Sequence, residues 1–366
     1  MIGKLAALAM AGTMGLAVPV AHADTIRATS GFGPSHVLAT DIYPEINARL
    51  RAFTKGAWGL HDTPSGLVAP NEISAALRNG VTEMGTLLMP YFPAEFPDAA
   101  LPSELSILGS TNLAVSCAVT EYVATCPECQ AEFTQNGQIY LGTDATPPYN
   151  LLTTRPVRSV GDVQGMRIRT GAPLYAGLVA DMGGEPTQIP SSELFEALSQ
   201  GVVAGTFSGN HEIVANRLGD VITSVTEMEE GVFNGAAVAA SHLLWIRLSP
   251  DERAALIRAA QHGIVKGLFG YLDDANAARE IKGITFLKMD ETLAAARAAY
   301  NEKRLASVAS ILAGRGVKDP QAKIDRYKAL VAKWEGLITP AMTPEALAEL
   351  RYTEIFARLD MNAYGQ

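Results

Sequence analysis

The sequence predicts an α/β protein built as two lobes. Three observations carry this. A strand, helix, strand, helix, strand order occurs once between Thr25 and Leu88 and again between Tyr140 and Phe207. Gly, Pro and Asn stop signals separate the elements at βαβ spacing. The last third, from Ser249 onward, reads as a succession of long helices.

The first unit opens with Thr25 to Ser30, which alternates as a strand and ends at the turn Gly31-Phe32-Gly33-Pro34. Leu38 to Thr54 sets Ile42, Ile46 and Leu50 on one helical face, and Lys55-Gly56 stops it. A short strand over Trp58 to Asp62 follows. Asn71 caps a helix with Ile73, Ala76 and Leu77 on its apolar face, Asn79-Gly80 ends it, and Thr82 to Leu88 is the next strand. Asn112 to Ala124 reads as a helix. The second unit begins near Tyr140, with Gln138 to Gly142 and Leu151 to Thr154 as strands around the turn Pro147-Pro148-Tyr149. Met166 to Thr170 is a strand, Leu174 to Met182 a helix ended by Gly183-Gly184, and Thr187 to Ile189 a strand. Ser191 or Ser192 caps a helix through Leu198, Gly201 stops it, and Val202 to Phe207 is the last strand. Strands joined by helices in this way pair in parallel.

Ser249-Pro250-Asp251-Glu252 is a helix start with serine as cap and proline in the first position. Its apolar pattern continues through Leu272, long enough to lie across two lobes. Asp290 to Ala313, Pro320 to Leu337 and Ala346 to Leu359 read as three further helices. The lobes are expected as residues 24–146 plus 234–275 and residues 147–233 plus 276–366, exchanging segments so that no single cut separates them.

Composition narrows the function. Of 366 residues, 48% are hydrophobic and 18% charged, ample for packed cores and unlike a disordered chain. A net charge of −9 argues against a nucleic-acid partner, since no basic surface would release counterions from phosphates. Lys4, the apolar run Leu5 to Val20 and Ala21-His22-Ala23 have the layout of a secretory leader cleaved before Asp24. The run is short for a membrane anchor, which needs about 20 apolar residues. The longest later apolar stretch, Gly235 to Leu248, is interrupted by Ser241, His242 and Arg247. The expected product is an exported protein of the periplasm.

Export sets the reading of Cys117, Cys126 and Cys129. One structural disulfide with one thiol left over fits an oxidising compartment, and the spacing does not choose the pair. A thioredoxin-like site would want the Cys-Pro-Glu-Cys pair after a strand, and a zinc site would want a second pair. There is no Gly-x-Ser-x-Gly elbow, His-Glu-x-x-His, phosphate loop or dinucleotide fingerprint, and no cofactor is called for. The histidines are scattered. His36 is singled out because it follows a turn at a strand end, where open α/β sheets bind ligands.

Three blocks carry a family resemblance: Gly165-Met166-Arg167-Ile168-Arg169-Thr170, Met182-Gly183-Gly184-Glu185-Pro186-Thr187, and Ser192-Glu193-Leu194-Phe195-Glu196-Ala197-Leu198-Ser199-Gln200-Gly201-Val202-Val203. With Ser30-Gly31-Phe32-Gly33-Pro34-Ser35-His36, Glu72 to Gly85 and Phe96-Pro97, the chain resembles the DctP-like extracytoplasmic solute-binding proteins of TRAP transporters. The resemblance implies a two-lobed periplasmic solute-binding protein fold with hinge strands and long helices spanning both lobes. It also implies closure on an organic acid and delivery to a membrane permease driven by a sodium gradient. Arg169 matches the family's carboxylate-binding arginine. A guanidinium suits that role through its planar fork of donors. Spacing alone leaves a strand-surface ion pair open, because Arg167 shares its face.

The family's asparagine position falls at Ser208, with Asn210 close by, and a further arginine position falls near Tyr149. Met89 and Tyr91 fall on cleft positions, with Ser30, His36 and Ser191 as further candidate contacts. The missing second cation leaves a smaller acid, or a solute bearing an amine, as alternatives to a dicarboxylate. A secreted enzyme and a ligand-sensing partner of a membrane receptor are the competing functions.

Overall fold

Two sheets divide the chain. A computed structural model describes residues 24–65 and 67–366, so the expected leader lies outside the described residues. The first sheet has the order β2-β1-β3-β10-β4, from β1 (Asp24–Thr29), β2 (Trp58–Asp62), β3 (Met84–Leu88), β4 (Gln138–Asp144) and β10 (Ala236–Ser241). The second has the order β11-β9-β5-β8-β6-β7, from β5 (Tyr149–Thr153), β6 (Arg167–Thr170), β7 (Glu185–Gln188), β8 (Gly205–Gly209), β9 (Ser224–Glu227) and β11 (Thr285–Lys288). β1 runs parallel to β2 and β3, and β6 parallel to β7 and β8, as helical crossovers require.

Each sheet also takes antiparallel strands: β10 between β3 and β4, and β5 between β8 and β9. β4 therefore belongs to the first sheet. Pro147-Pro148 is a passage between lobes, not the turn of a hairpin. β10 reads Ala-Ala-Val-Ala-Ala-Ser and is buried at every residue, which small side chains allow in a strand covered on both faces. Its pairing with β4 shifts register between Val238 and Ala239, opposite Gly142, whose φ of 137° suits a bulge.

Residues 145–148 and 228–235 carry the chain between the sheets side by side. Thr146 N–H donates to Phe233 O at 3.0 Å, Tyr149 N–H to Gly231 O at 2.8 Å, and Glu230 N–H to Tyr149 O at 2.7 Å. Gly231 has φ 66°, and a Cβ there would sit 2.2 Å from Ser106 O, so only glycine fits.

The helix Pro250–Ala278 is 29 residues long, about 44 Å at 1.5 Å per residue. Ser249 and Glu252 close a capping box at its start. It packs on the first lobe, against helix Tyr43–Phe53 and β4, and its far end reaches helix Glu212–Ala215 of the second. The π-helical turn Leu38–Ile42 precedes helix Tyr43–Phe53, where Pro44 has no N–H to continue an α-helical ladder. Helix Glu291–Gly314 starts on the second lobe, where Tyr300 Oη–H donates to Leu174 O at 2.6 Å, and ends beside Glu104 of the first.

The C-terminal helices correct the expected boundary. Residues 276–366 do not all go with the second lobe. Helix Pro320–Leu337 packs on helix Asn112–Ala124, and helix Pro344–Arg351 on helix Pro250–Ala278. The cause is helix Asn112–Ala124, which is buried on nearly every side and needs cover on its outer face. Ile324, Tyr327, Val331 and Trp334 supply that cover. Cys126 and Cys129 form the disulfide at the start of helix Pro127–Gln135, while Cys117 is a buried free thiol. Among the described residues, no helix is long and apolar enough to cross a membrane.

Candidate functional site

The ends of β1, β3, β4, β6 and β8 converge where the lobes meet. A cavity of about 40 Å³ lies there, walled by both lobes. The first lobe brings Phe32, His36, Leu88, Tyr91, Asp144 and Ala236, and the second Tyr149, Arg169, Gly171, Ser191, His211 and Glu212. Phe233 and Thr146 come from the crossing segments, and Tyr271 from the long helix.

Arg169 sits at the cleft end of β6. Arg167 shares its face but stands at the strand's other end, exposed, donating from Nη2 to Gly201 O at 3.0 Å. Arg169 is 2% exposed. Its Nε donates to Ile189 O at 2.8 Å, and Nη2 lies 3.5 Å from Tyr91 Oη. Among the described residues no carboxylate oxygen lies within 4.0 Å of its guanidinium. Gly171 leaves it room: a Cβ there would meet Nη1 and Nη2 at 3.4 Å.

Tyr149 is buried and stacks on Tyr175 at 4.8 Å and on Phe233 at 5.8 Å between centroids. Ser191 Oγ–H donates to Glu212 Oε1 at 3.1 Å. His36 stacks on Phe32 at 4.4 Å and accepts Leu38 N–H on Nδ1 at 3.2 Å. Burial drives the His36 imidazole down to about 3 and that of His211 well below its ordinary value, so both rings are neutral. The edge-on contacts of Tyr271 with His211, at 4.8 Å, and with His36, at 5.9 Å, join both lobes to the long helix.

Ser30, Met89, Ser208 and Asn210 do not line the cavity. Ser30 binds Asp62 through N–H at 2.7 Å and Oγ–H at 2.9 Å, closing the end of β1. Met89 is fully buried in the turn after β3, its N–H donating to Gly235 O at 2.8 Å. Ser208 is buried in β8 with Oγ unpartnered, and Asn210 Oδ1 accepts from Asn150 Nδ2 at 3.0 Å. Sequence reasoning missed Asp144, His211, Glu212 and Tyr271. The strand-end rule that singled out His36 applies equally to β8, whose end leads straight into Asn210-His211-Glu212.

Asp144 accepts from Tyr271 Oη–H at 3.0 Å, and burial pushes its carboxyl up to about 7, against the pull of that bond and of Arg351. The folded-state value exceeds the unfolded one, so the native state holds the extra proton between about pH 4 and 7. Asp144 therefore lowers stability as pH rises through that window. The two neutral histidines act in the opposite sense, losing stability as pH falls. Asp144→Asn, compared with the parent chain, isolates the first effect. The difference in unfolding free energy should rise in favour of the variant from pH 4 to 7, by about 4 kcal/mol, then level off. Denaturant titrations at several pH values read it, and a pH-independent difference would refute the assignment.

Residues 44–267 match the family model described as bacterial extracellular solute-binding protein, family 7. A solute-binding protein of Roseobacter denitrificans is 30% identical over 171 residues, 45% of this chain and 51% of that one. A solute-binding protein of Chromohalobacter salexigens is 25% identical over 123 residues, 33% and 36% of the two chains. The chain thus spans about half or less of the length of these curated relatives. Among solved structures, a TRAP periplasmic solute-binding protein of Bordetella bronchiseptica with bound (R)- and (S)-mandelate superposes with a TM-score of 0.75 at 24% identity, covering 84% of this chain and 99% of that one. DctP7 of Bordetella pertussis, an extracytoplasmic solute receptor binding pyroglutamic acid, gives 0.73 at 19% identity, covering 84% and 100%. At these identities the likeness is one of fold.

Proposed function

Because this chain belongs to family 7 of the bacterial extracellular solute-binding proteins, we propose that it captures a small organic acid between its lobes in the periplasm and presents it to a sodium-driven TRAP permease. One observation carries the acid: a buried guanidinium with no carboxylate partner among the described residues, at a strand end, in a cavity with walls from both lobes. A solute carboxylate supplies the missing partner through paired charge-assisted hydrogen bonds. The mandelate and pyroglutamate held by the two structural neighbours support a monocarboxylate.

The lobes as functional units are residues 24–146 with 234–275, and 147–233 with the segment through β11 and the start of helix Glu291–Gly314. A cavity of about 40 Å³ has room for little more than a water. A solute is admitted when the walls part, with the paired crossing segments as hinge. It then favours the closed form because it touches both lobes.

The test is a thermal-shift screen of the exported protein against organic acids, followed by calorimetry and scattering on each hit. A ligand at 100 times its Kd adds about 2.7 kcal/mol, which moves the melting temperature by several degrees. Bound protein should scatter as a more compact particle. No acid stabilising the protein would refute the proposal. Recovery of a chemically altered solute by mass spectrometry would replace it with an enzyme.

A further inference from the structure

The cavity holds an arginine and a glutamate with no hydrogen bond between them: burial raises the Glu212 carboxyl, and the Arg169 charge opposes that rise only through space. Arg169 has no carboxylate oxygen within 4.0 Å, and Glu212 has no Lys or Arg nitrogen within that distance, among the described residues. Glu212 is 4% exposed and lines the cavity. Its Oε1 accepts from Ser191 Oγ–H and its Oε2 from Asn216 Nδ2–H. A carboxylate oxygen accepts about two hydrogen bonds, so each retains capacity. The nearest imidazole nitrogen, His211 Nε2, is 3.8 Å away, beyond hydrogen-bond reach, on a ring that burial keeps neutral. An acid bound to Arg169 would satisfy the cation and leave Glu212 buried without a counter-charge, which is costly.

A metal ion is the first alternative, since His36, His211 and Glu212 each offer an atom within 4.8 Å of the others. The tautomer of His36 argues against it. Its Nδ1 accepts the Leu38 amide proton, so the ring proton sits on Nε2. That ring offers a donor at Nε2, not the lone pair a metal needs. The other walls carry five aromatic rings, Phe32, Tyr91, Tyr149, Phe233 and Tyr271, and a second carboxylate, Asp144, which accepts from Tyr271 Oη–H. Aromatic faces attract an organic cation.

We infer that the solute is a zwitterion, its carboxylate on Arg169 and its protonated amine beside Glu212 among the aromatic rings. This rests on the organic-acid reading above and names the class of acid. One such solute completes both charges and both sets of hydrogen bonds at once.

Matched acids with and without a protonated amine test it. Phenylglycine is set against mandelate, proline against pyroglutamate, and a series of 2-amino acids against their 2-hydroxy counterparts, by calorimetry on the parent protein and Glu212→Gln. The amine-bearing members should bind at least about tenfold tighter. Glu212→Gln should erase that preference from both sides, weakening the amine-bearing members and tightening the hydroxy acids, whose binding then leaves no buried carboxylate uncompensated. Equal or tighter binding of the hydroxy acids, or an amine preference that survives Glu212→Gln, would overturn the inference and leave Arg169-dependent acid binding intact. Loss of affinity on EDTA dialysis, restored by Zn²⁺, would overturn it in favour of a metal. Failure of every acid in all sets would overturn the organic-acid reading with it.

Discussion

Arg169→Ala should weaken binding of any acid the thermal screen returns by roughly 30-fold to several thousand-fold, while the empty protein stays folded. The range is that for truncating one partner of a buried, hydrogen-bonded charge pair, about 2–5 kcal/mol. The second half of the expectation is the sharper one. In the empty protein Arg169 is a desolvated cation whose protein contacts are the Ile189 carbonyl and the Tyr91 hydroxyl. Removing it breaks no hydrogen-bonded ion pair, though buried Glu212 loses a through-space cation, so the change in stability should be small beside the loss of binding. Arg169→Lys keeps the charge and loses the planar fork, and should fall between the two. Calorimetry reads affinity and denaturation reads stability. An Arg169→Ala protein that binds within threefold of the parent would remove Arg169 from the site.

The parallel halves of both sheets were legible because their strands alternate with helices and end at glycine stops. Of the antiparallel strands, β4 and β5 were legible as strands, though not their pairing, and β9 and β10 were not legible. β10 is mostly alanine, a residue depleted in strands, and it pairs because it fits between β3 and β4 with both faces covered. β9 and β11 are four residues each, too short for a period, and helix Pro127–Gln135 lies behind a proline that reads first as a stop. Val202-Val203 reads as strand from its apolarity, yet pairing begins at Gly205, where a Cβ would sit 2.9 Å from Leu152 O. The site divides in the same way. Arg169 came from a motif resemblance, and His36 from its place at a strand end. Glu212 and Asp144 are single carboxylates with no local spacing to mark them. Only the tertiary fold makes them exceptional, by burying them at one cavity. The C-terminal helices were misplaced because sequence order does not say which outer face needs cover.

Glu104→Gln should cost about 3–5 kcal/mol of stability. Glu104 is 4% exposed and receives Arg304 on one oxygen and Arg315 on the other. Arg304 lies in the second half of helix Glu291–Gly314 and Arg315 directly after it. The same helix holds Glu230 of the crossing segment through Arg297, so Glu104 fixes one end of a strut whose other end grips the hinge. Gln keeps the shape and removes the charge, leaving buried Arg304 and half-buried Arg315 beside each other without their shared carboxylate. The penalty is that of uncompensated buried cations, not of the pair itself. Replacing Glu104, Arg304 and Arg315 together by Leu, Met and Met should therefore return most of the stability. Chemical denaturation of the single and triple variants measures both. A loss under 1 kcal/mol in Glu104→Gln, or a triple variant no more stable than the single one, would show that the three charges are solvated in the native state. Restored stability with weakened solute affinity in the triple variant would show that the strut's polar joint sets the angle between the lobes as well as holding them.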